Sequence, residues 1–345
     1  MLRKVKAIGL ISGGLDSTLA AKLMLQLGVD VLGLNFHTGF CLTDHRKQMK
    51  QGSPEKLRNE ALRAGNDLNF PVETINIAHE YLQLVTNPRY GYGKNANPCI
   101  DCRIMMLKKA KIIMEDEGAD FIFTGEVLGQ RPMTQMRGTL RLIEKRAGLE
   151  RMILRPLSAK LLPVTIPEEM GLIDRSKLKD FHGRSRKPQL SLAGELGVTD
   201  FPQPAGGCCF LTDPGYSRKF FDLLDHRQQR TVNTDDFTLL KVGRHLRVKD
   251  DLKVVVGRNE SENSFLRRFT PKMVSFEVIG PPGPLALMEG DDTDENRTIA
   301  AQITARYSDA PPGSAVKVKV IDDSAEAELE VIPIDENLTD LYIIR

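Results

Sequence analysis

One short glycine-rich loop constrains the fold of this chain more than any other feature. It follows an apolar run from Val5 to Ile11 and precedes a segment whose apolar residues, from Leu19 to Leu25, have helical spacing. Small residues let backbone N–H groups turn toward an anion, and the start of a helix adds positive dipole charge. The pattern predicts a strand, a phosphate-binding loop and a helix. The loop residues assigned to binding are Ser12, Gly13, Gly14, Asp16, Ser17 and Thr18.

The first part of the chain alternates short apolar runs with segments of helical periodicity. This alternation is typical of an α/β fold, in which helices cover a parallel sheet. The further strands are predicted at residues 29–36, 72–77, 121–123 and 153–154. Helices are predicted from Ser53-Pro54 to about Leu68, from about Ile104 to Glu117, and after a capping box at Thr165.

The chain changes character beyond about residue 225. Short β-like runs at 237–242, 252–256, 273–279, 315–321 and 327–332 are separated by Gly, Pro and Asp clusters. A length of 345 residues also favours more than one domain. We therefore predict a catalytic domain over 1–225 and an accessory α+β domain over 226–345.

Composition and charge bear on the cellular location of the protein and on whether it binds nucleic acid. Hydrophobic residues make up 41% and charged residues 27% of a chain that shows neither a membrane span nor a signal peptide, so a cytoplasmic location is expected. The net charge of +2 does not by itself indicate nucleic acid. Two local basic runs either follow a phosphate backbone or form solvated helix faces. They comprise Arg137, Arg141, Lys145, Arg146, Arg151, Arg155 and Lys160, then Arg175, Lys177, Lys179, Arg184, Arg186 and Lys187.

Five cysteines, Cys41, Cys99, Cys102, Cys208 and Cys209, bear on the chemistry. An odd count in a reducing compartment argues against a disulfide framework. The C-x-x-C spacing then favours metal or sulfur chemistry. Cys41 fits a buried structural position.

The loop pattern Ser-Gly-Gly-x-Asp-Ser resembles the PP-loop of ATP pyrophosphatases and lacks the Gly-x-x-x-x-Gly-Lys and Gly-x-Gly-x-x-Gly patterns. The resemblance implies a Rossmann-like sheet of the adenine nucleotide alpha hydrolase type, with ATP as cosubstrate. It also implies that the amides and Ser hydroxyls hold pyrophosphate while Asp16 places Mg²⁺. Gly125, Glu126 and Gln130 follow the fourth strand, where ligands of open α/β sheets gather, so we assign them to the ATP site. Phe36 either lines the adenine pocket or belongs to the core.

Further motifs narrow the class. Asn97-Pro98-Cys99-Ile100-Asp101-Cys102 and Gly207-Cys208-Cys209-Phe210 resemble the cysteine segments of tRNA 2-thiouridylases. Residues 124–130 and 154–157 are similar to tRNA 4-thiouridine synthetases. Arg103 departs from the Asn usual in 2-thiouridylases, and the chain starts without the N-terminal RNA-binding region of 4-thiouridine synthetases. The resemblance implies thiolation of a uridine in tRNA. Residues 237–263 resemble an accessory domain of RNA-associated proteins; the alternative is a structural appendage or a module for homodimer formation.

The resemblance leaves three roles open for the cysteines. A persulfide on one cysteine could attack the adenylated uridine, with a second cysteine forming a disulfide. A [4Fe-4S] cluster could instead be held by Cys99, Cys102 and either Cys208 or Cys209. We favour the cluster, with Cys208 as the third ligand. Zinc bound by these three and Cys209 is the third alternative. A cysteine desulfurase or free sulfide would supply the sulfur. The rival functions are a PP-loop enzyme acting on a small molecule and a non-catalytic RNA-binding protein that keeps the ATP site.

Overall fold

A computed structural model describes residues 4–41, 59–202, 209–227, 232–311, 313–322 and 325–345. The described residues before position 203 form one compact unit, and those from Cys209 onward form a second. This division falls earlier than residue 225, because a helix at Pro214–Asp225 stacks Phe220 on Phe237 of the second unit. Among the described residues, no helix is long and apolar enough to cross a membrane.

A five-stranded parallel sheet forms the centre of the first unit. Its strands are β1 (Lys6–Leu10), β2 (Asp30–His37), β3 (Val72–Asn76), β4 (Phe121–Thr124) and β5 (Ile153–Leu154), and their order is β3-β2-β1-β4-β5. Every neighbouring pair is parallel. The apolar residues of β1 and β4 are buried, as continuous apolar runs require of a sheet covered on both faces. The α/β prediction is confirmed.

Helices connect these strands. They are α1 (Leu15–Gln26), α2 (Glu60–Leu68), α3 (Ala78–Thr86), α4 (Cys99–Asp116), α5 (Arg137–Ala147), α6 (Ile166–Glu169) and α7 (Lys187–Leu196). The Asn59 side chain caps α2 by accepting from two backbone N–H groups, whereas the predicted start at Ser53-Pro54 lies outside the described residues. The predicted capping box at Thr165 is confirmed. Helix α4 begins at Cys99, earlier than predicted.

The strand order fixes where a ligand can bind. The chain runs outward from β1 through β2 to β3 and then crosses to β4 on the other side of β1. In open parallel sheets, such a reversal leaves a crevice outside the carboxyl ends of the two central strands. The loop after β1 and the segment after β4 therefore face the same crevice.

The second unit is built on an antiparallel sheet. It contains β6 (Arg244–Lys249), β7 (Leu252–Val256), β8 (Ser275–Val278), β9 (Leu285–Gly290), β10 (Val316–Ile321) and β11 (Glu326–Val331), in the order β11-β10-β8-β9-β7-β6. Its helices are α8 (Pro214–Asp225), α9 (Thr234–Leu239), α10 (Glu260–Leu266), α11 (Asp294–Arg306) and α12 (Glu336–Tyr342). Ala300, Ala301 and Ile303 of α11 pack into the sheet core.

The α+β prediction for this part is confirmed, but the predicted strand at 237–242 is wrong. Its first residues belong to α9, because Asn233 and Asp236 form a capping box that starts a helix. Phe237 and Leu240 are then buried three residues apart, as residues on one face of a helix are. Strands β6 and β9 were missed by the sequence analysis.

Candidate active site

The loop between β1 and α1 is held in a conformation that glycine permits. Gly13 has φ +74°, and a Cβ atom there would lie 2.1 Å from the main-chain carbonyl carbon of Glu60. The Ser17 hydroxyl donates to the Gly14 carbonyl oxygen at 3.0 Å and lies 3.2 Å from the Ser12 hydroxyl. These side chains brace the turn. The backbone N–H groups at the start of α1 can therefore point toward an anion.

Asp16, in the first turn of α1, supplies the carboxylate of this loop. Gln130 donates from Nε2 to its Oδ2 at 3.1 Å, and among the described residues Oδ1 is buried without a hydrogen-bond partner. Burial raises the pKa of Asp16, against the lowering effects of the Gln130 hydrogen bond and of the Arg186 and Arg131 charges. An acceptor oxygen left unpartnered in a buried carboxylate fits a Mg²⁺ ligand.

The end of β4 touches the loop directly. A Cβ at Gly125 would lie 2.5 Å from the main-chain atoms of Asp16 and Ser17. Only a residue without a side chain allows this approach. The structure thus brings the predicted site residues Gly125 and Gln130 to the phosphate loop, while their role toward ATP stays a prediction.

A buried arginine that the sequence analysis missed supports the loop from behind. Arg63 of α2 donates to the carbonyl oxygens of Gly13 at 3.1 Å and of Asp200 at 2.7 Å, and it pairs with Glu60 and Asp67. Its exposed fraction is 6%. A helical arginine with carboxylates at i−3 and i+4 is a common surface pattern, so the sequence carried no signal of this burial.

Cys99 and Cys102 lie in the first turn of α4, which is 18 residues long. The Asn97 side-chain amide donates to Cys99 Sγ at 3.1 Å. The thiolate is the form of a cysteine that acts as a nucleophile and as a metal ligand. The motif residues Asn97, Cys99 and Cys102 are therefore brought together.

Neither of the other predicted cysteines belongs to the described part of the first unit. Cys208 lies outside the described residues, and Cys209 is buried in the second unit. Within the described part of the chain, no three His, Cys, Asp or Glu side chains converge as a metal site. The cluster and the zinc site therefore remain proposals.

A buried charge network joins the cysteine helix to β4 and β5. Glu126, with an exposed fraction of 3%, pairs with Arg103 Nε at 3.1 Å and with Arg155 Nε at 3.1 Å. Burial acts to raise the pKa of Glu126, but the charges of Arg103 and Arg155 outweigh it and hold that pKa below its usual value. Arg155 Nη1 also donates to Glu144 at 2.5 Å. Glu126 is therefore an ionised structural anchor rather than a proton donor.

The structure also places Phe36 and members of the two basic runs. Phe36 is half-buried and packs against the core beneath β2, so both roles considered for it stay compatible with its position. The first basic run is not one exposed surface, because Arg155 is buried in the network described above while Arg137, Arg141, Lys145 and Arg146 are exposed. Arg175 of the second run is likewise engaged with Glu168.

The sheet order, the glycine-rich loop after β1 and the buried Asp16 agree with the resemblance of the sequence to the PP-loop class. Residues 3–170 match the family model described as thiamine biosynthesis protein (ThiI), and residues 243–343 match the NFACT protein RNA binding domain. The first unit is therefore a relative of PP-loop tRNA thiouridine synthases, joined to an accessory domain, as the motifs predicted.

Curated relatives and one solved structure are similar to parts of this chain. The tRNA-specific 2-thiouridylase MnmA of Syntrophotalea carbinolica is 32% identical over 33% of this chain and 32% of its own length. The MnmA protein of Thiobacillus denitrificans is 25% identical over 68% of this chain and 62% of its own. The chain thus spans less than two thirds of the length of either relative. A 4-thiouridine synthetase solved with RNA and bound ATP is 22% identical over 56% of this chain and 52% of that chain, with a TM-score of 0.35.

Proposed function

We propose that this protein uses Mg-ATP to adenylate a carbonyl oxygen of a uridine in tRNA and that sulfur then displaces AMP. The observation that carries the first step is Asp16, whose buried Oδ1 lacks a partner among the described residues beside a loop of backbone N–H groups. A phosphate-binding loop with a metal-ready carboxylate suits ATP cleavage at the α-phosphorus. The matched relatives named for tRNA thiouridine synthesis support the acceptor.

In the adenylation step, the uridine oxygen bonds to the α-phosphorus, the bond from that phosphorus to the bridging oxygen breaks, and pyrophosphate leaves. The amides of Gly13 and Gly14 would bind the departing pyrophosphate in a site braced by Ser12 and Ser17. Asp16 would hold Mg²⁺, which supplies positive charge against the pyrophosphate. Preorganised donors of this kind stabilise the charge that develops on the leaving group.

In the second step, sulfur adds to the activated carbon and AMP departs with the former carbonyl oxygen. By the persulfide route, one cysteine carries the sulfur and a second thiolate closes a disulfide, which a cellular thiol reduces before the next turnover. By the route that we favour, Cys99, Cys102 and Cys208 would hold a [4Fe-4S] cluster that presents sulfide. The placement of Cys99 and Cys102 in one helical turn supports both routes equally.

Binding of tRNA is proposed to be mainly electrostatic. The exposed arginines and lysines of α5 and the match of the second unit to an RNA-binding domain support this proposal. Because binding to a nucleic-acid backbone releases counterions, affinity should fall steeply as salt is added.

The deciding experiment is a pyrophosphate-release assay with ATP, Mg²⁺ and unmodified tRNA, followed by analysis of the tRNA nucleosides. We expect pyrophosphate release to depend on tRNA, and thiouridine to appear when a sulfur source is added. Release that is indifferent to tRNA but stimulated by a small acceptor would instead identify a small-molecule enzyme. Salt-dependent tRNA binding without any ATP cleavage would identify an RNA-binding protein.

A further inference from the structure

A second cavity lies in the first unit, beside α5 and β5. Its volume is about 610 Å³, within the range of small-molecule sites, and no residue of the phosphate loop lines it. Leu140, Ile153, Leu162 and Val164 contribute apolar walls. The cavity is therefore distinct from the proposed ATP site and suits a ligand with an apolar body.

Arg155 forms part of the cavity lining and is nine-tenths buried or more. Its Nε and Nη1 groups are taken by Glu126 and Glu144, while Nη2 has no hydrogen-bond partner among the described residues. Buried donors are nearly always paired, so a missing partner points to a ligand. Because two carboxylates already balance the charge of Arg155, the remaining N–H groups suit a neutral acceptor, such as a carbonyl oxygen, better than a second anion.

Two further arginines stand one helical turn apart where α5 borders the cavity. Arg137 and Arg141 line it, are exposed, and form no ion pair with any other described residue. Arg151 differs, because it pairs with Glu169. Guanidinium groups bind phosphate in a bidentate manner. The solvent-exposed side of the cavity therefore suits an anionic group.

Three carboxylates also line the cavity. Glu144 is bound by Arg155 and Glu168 by Arg175, which leaves Glu150 against the two arginines of α5. The balance at this site remains positive.

We propose that this cavity binds a nucleotide, with the base between the apolar walls and the phosphate on Arg137 and Arg141. A base carbonyl would accept from Arg155 after a small side-chain movement, since Nη2 is covered by surrounding atoms. If the proposed function holds, on which this part of the inference rests, the nucleotide is an unpaired one of the tRNA, turned out of its stack. The other source of the same chemistry is a free nucleotide.

Gly138 provides a test that does not threaten folding. It is the second residue of α5 and lines the cavity, and a Cβ there would meet no atom within 4 Å. Gly138→Leu should fill the cavity without straining the backbone. Gly194→Leu is the matched control, because Gly194 is also helical and open but does not line the cavity.

Equilibrium dialysis with UMP, in the absence of ATP, tests the cavity, because only the part of the binding that Gly138→Leu removes belongs to it. We expect the parent and Gly194→Leu to bind UMP, and Gly138→Leu to bind it at least about tenfold more weakly, as expected when a ligand pocket is occluded. Arg137→Gln with Arg141→Gln should also weaken binding, whereas Lys145→Gln with Arg146→Gln on the same helix should not. Absence of UMP binding to the parent, or equal binding by parent and Gly138→Leu, would overturn the proposal.

A second arm identifies the source of the nucleotide. Affinity for unmodified tRNA that drops in Gly138→Leu but not in Gly194→Leu assigns the cavity to tRNA. Loss of UMP binding with unchanged tRNA affinity assigns it to a free nucleotide. Neither measurement needs ATP or sulfur, so failure of the thiolation assay with the parent protein would count against the proposed function and leave the cavity result intact.

Discussion

The side-chain amide of Gln130 donates to Asp16 Oδ2 at 3.1 Å, across the crevice between the ends of β1 and β4. This bond orients the carboxylate and leaves Oδ1 for another ligand. Burial raises the pKa of Asp16, so keeping its carboxylate ionised at this position costs free energy of folding.

Asp16→Asn should lower tRNA-dependent ATP cleavage by about 100-fold or more. A neutral amide holds Mg²⁺ more weakly than a carboxylate does, and the metal ion stabilises the negative charge of the departing pyrophosphate. The free energy of unfolding should stay unchanged or rise. Since folding raises the pKa of Asp16, its ionisation destabilises the folded state as pH rises through that pKa, and the Asn variant escapes this loss. Urea unfolding at pH 4 and pH 7 checks the sign. A variant less stable than the parent at pH 7 would contradict it.

Gly13→Ala should destabilise the protein by about 2 kcal/mol or more and abolish ATP binding, because φ is +74° and the new Cβ would meet the backbone of Glu60. Gly14→Ala is the neighbouring control. Its Cβ would meet only the Ser12 hydroxyl, at 3.4 Å, and loss of a glycine at the helix N-cap costs about 1 kcal/mol at most. Thermal unfolding of both variants, with and without ATP, measures the difference. Equal losses of stability would show that the loop is not held against α2 as described.

Arg103→Gln should reduce the free energy of unfolding by about 1–3 kcal/mol at pH 7, because buried Glu126 loses one of its two cationic partners. The pKa of Glu126 is held below its usual value, so this contribution is present near neutral pH and is lost as pH falls through that pKa. Lys109→Gln, on the same helix, removes only an exposed pair with Glu80 and should cost little. Denaturant unfolding of the parent and of Arg103→Gln over a pH series tests this prediction. A difference in their free energies of unfolding that did not become smaller in acid would count against the ion pair.

Cys99→Ala and Cys102→Ala should each abolish thiolation while leaving the Mg-ATP affinity unchanged, because both cysteines lie on α4 rather than on the phosphate loop. Cys41→Ala is the control and should keep activity. If a cluster is present, anaerobic protein should be brown, with a broad absorption near about 400 nm that both variants lose. Colourless protein with bound zinc, or colourless metal-free protein that thiolates tRNA, would exclude the cluster. Single-cysteine alkylation then tests the persulfide route.

Lys219 of α8 should make the second unit more stable in mild alkali. Burial, together with the Arg258 and Lys253 charges, lowers the pKa of Lys219 from its usual 10.5 to about 8. The folded state therefore loses the proton before the unfolded state does, and stability should rise between about pH 8 and pH 10.5. Hydrogen exchange of the β6 and β7 amides over this range measures the slope. Lys219→Met should not show this rise in stability with pH. The same rise in that variant would mean that another group causes it.

The strand and loop predictions succeeded where one local signal sufficed. Continuous apolar runs gave β1 and β4, and the glycine pattern gave the loop. The error at 237–242 arose because apolar residues there suit both periods, and the capping pair Asn233 and Asp236 decided for a helix.

The parts of the site that the sequence did not predict depend on contacts distant in the chain. Arg155 belongs to a basic run, yet it is buried because β5 places it beside Glu126 and Glu144. Arg63 supports the phosphate loop from a separate helix through a carbonyl oxygen, which no side-chain pattern reveals. A run of charged residues in the sequence shows only which residue types are present. Whether one of them is buried depends on the helix or strand that packs against it.

The segment from Gly125 to Gln130 contacts both halves of the proposed reaction. Gly125 and Gln130 touch Asp16 of the phosphate loop, and Glu126 between them pairs with Arg103, one residue after Cys102. One covalent stretch of six residues therefore contacts the phosphate loop at both of its ends and the cysteine helix in between. A substitution that moves this stretch would disturb the nucleotide site and the cysteine turn together.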